Sequence, residues 1–171
     1  MIKIKFLSAK SSVAGAAPVK ITFQDDSSVF LGPGGGKEIH LGIGAKKNFN
    51  RRKLILITRK IVSLAKSNKI KKLSIDIKDF LNLAKIQPED LGRLLAENFE
   101  MANFEFVRYK TKPKTGWNFV EEIHIQNASK EIQVGVEQGQ VIGGEVNQCR
   151  ALANSPGGEM TPQKLAASAK N

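Results

Sequence analysis

The sequence predicts an α/β fold in which helices flank a largely parallel or mixed sheet. Segments in which apolar residues alternate, the pattern of strands, are interspersed along the 171-residue chain with segments of helical spacing. Apolar residues make up 41% and charged residues 25% of the sequence, as in soluble globular proteins. Strands and helices that alternate in this way are typical of a layered α/β domain, and the chain is long enough to bury a core without disulfides or metals.

Four strands are predicted before the first helix. Residues 2–7 alternate as a strand, and lysines interrupt what would otherwise resemble the apolar region of a secretory signal. Residues 19–23 and 28–31 flank the turn-forming cluster 25–27, which predicts a hairpin between them. Residues 38–43 form the fourth predicted strand.

The first helix is predicted to begin at Asn48 or Asn50, either of which can cap it, and to end at about Ser67. Its apolar residues recur at helical spacing on one side, whereas basic residues seven apart line the opposite side. The apolar side consists of Leu54, Ile57, Ile61, Leu64 and Ala65, and the basic side of Arg52, Arg59 and Lys66.

The next part of the chain contains a short strand and a second helix. Alternation of Leu73, Ile75 and Ile77 predicts the strand. The helix is predicted to run from Pro88 to about Asn103, because the fixed φ of proline suits the first helical turn.

The remaining predicted elements are a loop at 110–116, a strand at 119–125, and a third helix at 129–151, followed by a helix that Thr161 caps and Pro162 begins. The glycines of the third helix weaken it by about 1 kcal/mol each relative to alanine, and they either allow close packing or mark a bend. Its predicted inward residues are Ile132, Val136, Ile142, Val146 and Cys149, and its glycines are Gly135, Gly139, Gly143 and Gly144.

The net charge of +11 is concentrated in the first half of the chain, where residues 46–72 hold 11 basic residues and no acidic one. Such a segment predicts an anion-binding face, with nucleic acid as the first candidate. The alternatives are a solvated basic surface or a face that meets an acidic partner subunit. The residues predicted to contact nucleic acid are Lys46, Lys47, Arg52, Arg59 and Lys66.

No self-contained active site is visible in the sequence. The glycine-rich residues 32–37 lack the spacing of a phosphate-binding P-loop and are predicted to form a hairpin turn. The possible metal ligands His40, His124 and Cys149 are far apart, and Cys149 is predicted to be a small core residue. There is no nucleophile elbow for Ser-His-Asp chemistry, and no apolar run approaches the roughly 20 residues that cross a bilayer.

Four stretches, in order, resemble the leucyl (cytosol) aminopeptidase family. The first is Gly42-Ile-Gly-Ala-Lys-Lys, followed by the first helix and residues 71–77. The second runs from Leu91-Gly-Arg-Leu-Leu to Tyr109-Lys-Thr-Lys, and the third is the strand at 119–125. The fourth is Asn154-Ser-Pro followed by Met160-Thr-Pro, which resembles the family's junction between its two domains. Residues 8–37 are shorter than the family's early segment, and Gly157-Gly158 departs from the junction of many relatives.

The resemblance implies a macro-domain-like mixed sheet flanked by helices. The implied divisions are an N-terminal domain at 1–128, a linker helix at 129–151 and the start of a catalytic domain at 152–171. Family members resemble one another in forming cytoplasmic hexamers that remove N-terminal residues from peptides with two divalent metals, zinc, manganese or magnesium. The family's metal ligands belong to the catalytic domain, so none is expected among these residues, and the chain by itself is expected to be inactive.

Two other functions remain open at this stage. Some family members also bind DNA, which agrees with the basic segment at 46–72. The macro-domain-like fold suggests an ADP-ribose-type ligand, but only by analogy. The expected role of the domain itself is in assembly and in regulation of access to the active site.

Overall fold

The computed structural model describes residues 1–8, 13–32 and 34–169, in which strands and helices alternate as predicted. The predicted elements lie within three residues of their predicted bounds. The strands are β1 (Lys3–Leu7), β2 (Ala17–Thr22), β3 (Ser28–Leu31), β4 (Lys37–Gly42), β5 (Lys72–Asp76) and β6 (Glu122–Gln126). The helices are α1 (Arg51–Ser67), α2 (Ile77–Ala84), α3 (Pro88–Asn103), α4 (Lys130–Ala153) and α5 (Pro162–Ser168).

The strands form one mixed sheet in the order β1-β6-β5-β2-β4-β3, in which β3 is antiparallel to β4 and the other neighbours are parallel. The predicted hairpin between residues 19–23 and 28–31 is wrong, because β4 lies between β2 and β3 and pairs with both. The hairpin joins β3 to β4 instead. Its turn is at 32–37, where the Gly32 N–H donates to the Gly36 carbonyl at 2.7 Å, as expected for this segment; Pro33 lies outside the described residues.

One face of the sheet is apolar and buried. Val19 of β2 lies beside Ile39 of β4, and Ile75 of β5 lies beside Ile125 of β6, so that branched apolar side chains form continuous rows across the strands. All four are at most 5% exposed. This face and the apolar sides of α1 and α3 belong to a single core, whose helical members include Leu54, Ile61, Leu91, Leu95 and Phe99.

The opposite face of the sheet is polar and carries ion pairs between strands. Lys20 on β2 donates to Glu38 on β4 at 2.7 Å, and Lys5 on β1 donates to Glu122 on β6 at 3.3 Å. The hydrogen bond from Lys20, followed by that from His40, holds the pKa of Glu38 below its usual value. The bond from Lys5 does the same for the pKa of Glu122. A mostly parallel sheet is usually covered on both faces, and these paired charges instead make the second face compatible with water.

Helix α2 is an element that the sequence analysis missed. Ile77 was predicted to end a strand, but it begins this helix, because the Asp76 side chain accepts the Lys78 N–H at 3.0 Å and caps it. The apolar residues Ile77 and Phe80 are at most 1% exposed, so the helix packs against the core although it is short. The helix ends at Ala84, and the residue that follows, Lys85, has a left-handed φ of 47°.

Helices α3 and α4 pack so closely that glycines are required where they meet. A Cβ atom added at Gly135 would collide with the backbone carbonyl oxygen of Glu89, and one at Gly139 with that of Arg93. On α3, a Cβ at Gly92 would collide with the carbonyl oxygen of Ile132. Of the two roles predicted for the glycines of α4, close packing is therefore the one seen at these positions.

This glycine contact also corrects the predicted inward side of α4. Ile132 and Val136 are buried as predicted, at 0% and 1% exposure. Ile142 is 38% exposed and Cys149 is exposed, so the predictions that they lie in the core are wrong. The reason is that the buried line of α4 continues through its glycines, which an analysis of apolar side chains does not count.

We predict that Gly135→Ala destabilises the domain by about 1–3 kcal/mol, because the new methyl group has only rigid backbone to displace. The measurement is the free energy of unfolding in urea. Gly144→Ala is the matched control on the same helix, since its Cβ would meet only the flexible end of Met1, at 3.2 Å. It should be neutral or stabilise by up to about 1 kcal/mol through helix propensity. Equal effects of the two substitutions would contradict the close-packing account.

Candidate functional site

The basic segment is positioned by the start of α1. Asn50 caps this helix, its side chain accepting the Lys53 N–H at 2.9 Å, which confirms one of the two predicted caps. Burial of Leu54 and Ile61 fixes the rotation of the helix, so the opposite side faces outward. The basic residues of that side are thus held by the core beneath them.

Four of the five predicted contact residues are exposed, and three of these lie at the amino-terminal end of α1. Lys46 and Lys47 lie in a short 3₁₀ turn, Lys46–Asn48, that precedes the helix, and Arg52 lies in its first turn. That turn contains no acidic residue. The positive end of the helix dipole adds to these cationic side chains, so the potential here favours anions.

The other two predicted contact residues have partners within the protein. The Arg59 Nε donates to the Asn98 side-chain oxygen at 2.9 Å, and Asn98 is 1% exposed. Lys66 forms an ion pair with Glu105, and its ammonium group lies 5.5 Å from the centre of the Phe119 ring. The spacing of seven that grouped Arg59 and Lys66 with Arg52 therefore joins residues in different surroundings.

The exposed residue Arg51, which the heptad spacing did not select, lies beside Arg52. Counting all cations around the helix start, rather than those at one spacing, would have identified it. We define the basic surface as Lys46, Lys47, Arg51 and Arg52.

We predict that Arg59→Ala costs about 1–3 kcal/mol of folding free energy, because it leaves the buried Asn98 oxygen without its donor. Arg52→Ala, a control with the same change in charge on the same helix, should change stability by less than about 0.5 kcal/mol, as exposed substitutions usually do. Chemical denaturation of the two variants side by side tests this difference. If both variants lose the same free energy of unfolding, the hydrogen bond from Arg59 to Asn98 does not contribute to stability.

The two histidines lie on the polar face of the sheet but in different strands. His40 lies 3.4 Å from Glu38, and its ring centre is 4.7 Å from that of Phe30. His124 is 3% exposed and lies 3.2 Å from Glu122 through its Nε2 atom. Strands β5 and β2 separate β6 from β4, so the two pairs do not converge. Among residues 1–8, 13–32 and 34–169, no three His, Cys, Asp or Glu side chains are grouped to hold a metal ion.

The segment between α4 and α5 is tied to the tail that follows α3. The Tyr109 hydroxyl donates to Glu159 at 2.7 Å, and Arg108 lies 3.6 Å from the same carboxylate. The bond to Glu159 raises the pKa of the Tyr109 hydroxyl, because ionisation would place two negative charges together. Thr161 then caps α5 through the Lys164 N–H at 3.3 Å, as predicted from Thr161-Pro162. The segment at 154–161 therefore has a defined path over the domain.

The end of α4 is also bound to the end of α3. The Asn147 side chain donates to the Glu100 carbonyl at 2.9 Å, and Arg150 donates to the Met101 carbonyl at 3.0 Å. These bonds satisfy backbone oxygens in the last turns of α3, which have no partner within their own helix. The two helices are thus joined by polar contacts beyond the region of close glycine packing.

Comparison with known proteins gives a consistent result. A family model described as "Cytosol aminopeptidase family, N-terminal domain" matches residues 27–113. A probable cytosol aminopeptidase from Alkaliphilus oremlandii is 27% identical over 131 residues, which cover 74% of this chain and 26% of that protein. Another from Bacillus subtilis is 31% identical over 87 residues, 50% of this chain and 17% of that protein. The chain thus spans about a quarter or less of the length of these relatives.

Two solved structures are similar in fold. A mutant of tomato leucine aminopeptidase matches 99% of this chain and 42% of its own with a TM-score of 0.77 and 14% identity. The bottromycin maturation enzyme BotP in complex with Mn matches 92% of this chain and 36% of its own, with a TM-score of 0.73 and 14% identity. At such low identity these matches establish the fold alone, which agrees with the predicted mixed sheet flanked by helices. None of the helices in the described part of the chain is long and apolar enough to cross a membrane.

Proposed function

Since the chain belongs to the cytosol aminopeptidase family, we propose that it serves as the N-terminal, non-catalytic domain of a metal-dependent aminopeptidase. The observation that carries this proposal is the match of the family's N-terminal-domain model to residues 27–113, which run from the turn before β3 to the loop after α3. The relatives are named as cytosol aminopeptidases, which supports a peptide substrate for the whole enzyme and a cytoplasmic location.

The metal chemistry of the proposed whole enzyme does not fit the residues of this chain. Two divalent ions would supply Lewis-acid chemistry to such a hydrolysis, and each would need several nitrogen or oxygen ligands. His40 and His124 are on separate strands, and no suitable group of three ligands exists in residues 1–8, 13–32 and 34–169. We therefore assign no catalytic step to this chain.

The proposed role of the domain is to position the catalytic domain and to contribute to assembly, as a homohexamer in the whole enzyme. We propose divisions at 1–128, 129–151 and 152–171, with α4 as the linker helix. Because α4 packs on α3 through glycines, this helix is a rigid arm rather than a flexible tether. The Tyr109–Glu159 bond and the α5 cap then define the direction in which the chain leaves the domain.

We predict that this chain does not hydrolyse leucine p-nitroanilide, with or without added manganese or zinc, because it lacks a metal-binding group of ligands in its described residues. The assay follows release of nitroaniline, with circular dichroism to show that the protein is folded. Metal-dependent turnover that co-purifies with the chain and disappears on chelation would contradict the proposal that this domain is non-catalytic.

A second candidate function is binding to the phosphate backbone of nucleic acid through the basic surface. The observation that favours it is that Lys46, Lys47 and Arg52 are exposed together at the positive end of α1. Contacts of this kind would be independent of base sequence and sensitive to salt. For an ADP-ribose-type ligand, by contrast, the glycine-rich residues 32–37 connect two strands rather than opening a helix, so no comparable feature supports it.

We predict that the triple substitution Lys46→Ala, Lys47→Ala and Arg52→Ala reduces the dependence of duplex DNA binding on salt. The loss should be about one unit in the slope of log K against log salt for each cation that contacts a phosphate. Fluorescence anisotropy at several salt concentrations measures this slope.

The control for this prediction replaces three other exposed lysines, Lys110, Lys112 and Lys114, by alanine and gives the same change in net charge. If the control lowers the slope as much as the triple substitution does, binding reflects overall charge and not the basic surface. An unsubstituted chain that does not bind DNA at low salt removes this second candidate.

A further inference from the structure

The two edges of the sheet differ in a way that bears on association. The edge strand β1 carries Lys3 and Lys5, both exposed, and charged residues on an edge oppose pairing with another chain. The other edge strand, β3, has the sequence Ser-Val-Phe-Leu and contains no charge. Its residues Phe30 and Leu31 are 52% and 75% exposed. Charged side chains therefore protect the β1 edge from pairing with another chain, but they do not protect the β3 edge.

The backbone of β3 has hydrogen-bonding groups directed away from the sheet. The register of β3 on β4 places Leu31 beside Lys37, and its continuation places Gly32 beside Gly36, where the Gly32 N–H donates to the Gly36 carbonyl. Hydrogen-bonded pairs alternate along an antiparallel ladder, so Phe30 bonds to β4 while Val29 and Leu31 direct their N–H and C=O groups outward. In the part of the chain that the structure describes, no strand lies on that side of β3.

We propose that β3 is a docking edge for a second copy of this chain, with the two β3 strands antiparallel across a two-fold axis. Side chains that lie opposite each other in a sheet point to the same face, so the two-fold axis must pass through a pair of equivalent residues and not between two pairs. A register centred on Phe30 meets this condition. It places Phe30 opposite its counterpart and Val29 opposite Leu31 of the other copy, and it pairs all four outward backbone groups of each strand.

Charge favours a second copy over an acidic or basic partner at this edge. Because β3 is uncharged, two copies meet there without direct repulsion although each has a net charge of +11. A strongly charged partner, by contrast, would find no charged side chain on β3 with which to pair.

The proposed interface is small, so its expected affinity is weak. A strand of four residues provides few hydrogen bonds and limited apolar area, and interfaces below about 1,200 Å² typically belong to transient complexes. Raising the salt concentration should strengthen the association, because it screens repulsion between the two positively charged copies.

The register is tested by disulfide formation between single cysteines. In a background with Cys149→Ser, Phe30→Cys should form a covalent dimer under mild oxidation, because opposed residues of a non-hydrogen-bonded pair have Cα atoms about 4.5 Å apart. Leu56→Cys, an exposed position of α1, is the control and should cross-link at least about tenfold more slowly. Faster cross-linking of Val29→Cys than of Phe30→Cys would overturn the proposed register, and equal rates for Phe30→Cys and Leu56→Cys would overturn the docking edge itself.

Sedimentation velocity of the chain with its natural Phe30 gives an independent test. The weight-average sedimentation coefficient should rise with concentration up to about 0.5 mM, in the range expected of a weak interface. Leu31→Lys should abolish this rise, whereas Leu56→Lys, the same exchange on α1, should not. A coefficient that is independent of concentration, or equal losses in the two variants, would contradict the proposal.

Discussion

The backbone contact between α3 and α4 is the constraint on which the later part of this structure depends. A backbone carbonyl group of the facing helix occupies the space that a Cβ atom would need at Gly92, Gly135 and Gly139. The same helix pair holds the start of β1, because Glu100 accepts the Ile2 N–H at 2.8 Å and Gln140 donates to the Ile2 carbonyl at 2.7 Å. Glu100 is only 4% exposed, so these bonds are protected from water and join both ends of the domain.

Many of the polar contacts in this structure hold its own helices and strands together. Two buried polar side chains join helices to each other: Asn98 on α3 accepts from Arg59 on α1, and Glu100 on α3 accepts from Gln140 on α4. The charges on the polar face of the sheet are largely paired with each other, as in the Lys20–Glu38 contact. Features available to a partner lie at the periphery, namely the basic surface, the uncharged edge strand and the segment that leaves α4.

The sequence predicted the start of a helix correctly where a single residue marks that start. Pro88 and the Asn50 cap located two helices well, because capping and proline geometry are local properties. Helix α2 was missed, since Ile77 continues the alternation of β5 and only the Asp76 cap marks the change. The pairing of β2 with β4 was also missed, because strand order depends on contacts distant in sequence that alternation does not encode.

For the candidate site, composition located the basic segment but could not assign roles within it. A spacing of seven places Arg59 and Lys66 with Arg52 on one side of a helix, but it carries no information about neighbouring elements. Asn98, which binds Arg59, lies on α3, and Glu105, which binds Lys66, lies in the tail after α3. The exposure of Cys149 has a similar origin, because glycines rather than apolar side chains mark the buried side of α4.

The central claim is that α4, the proposed linker helix, is packed as firmly on α3 as the strands of the sheet are on each other. Native-state hydrogen exchange of this chain, resolved by residue, tests it most directly. The account predicts that the amides of Val136 and Gly139 in α4 exchange with the same free energy of opening as the core amides of Ile75 and Ile125. If the α4 amides exchange at a much lower free energy while the sheet remains protected, α4 is only loosely attached, and the account is contradicted.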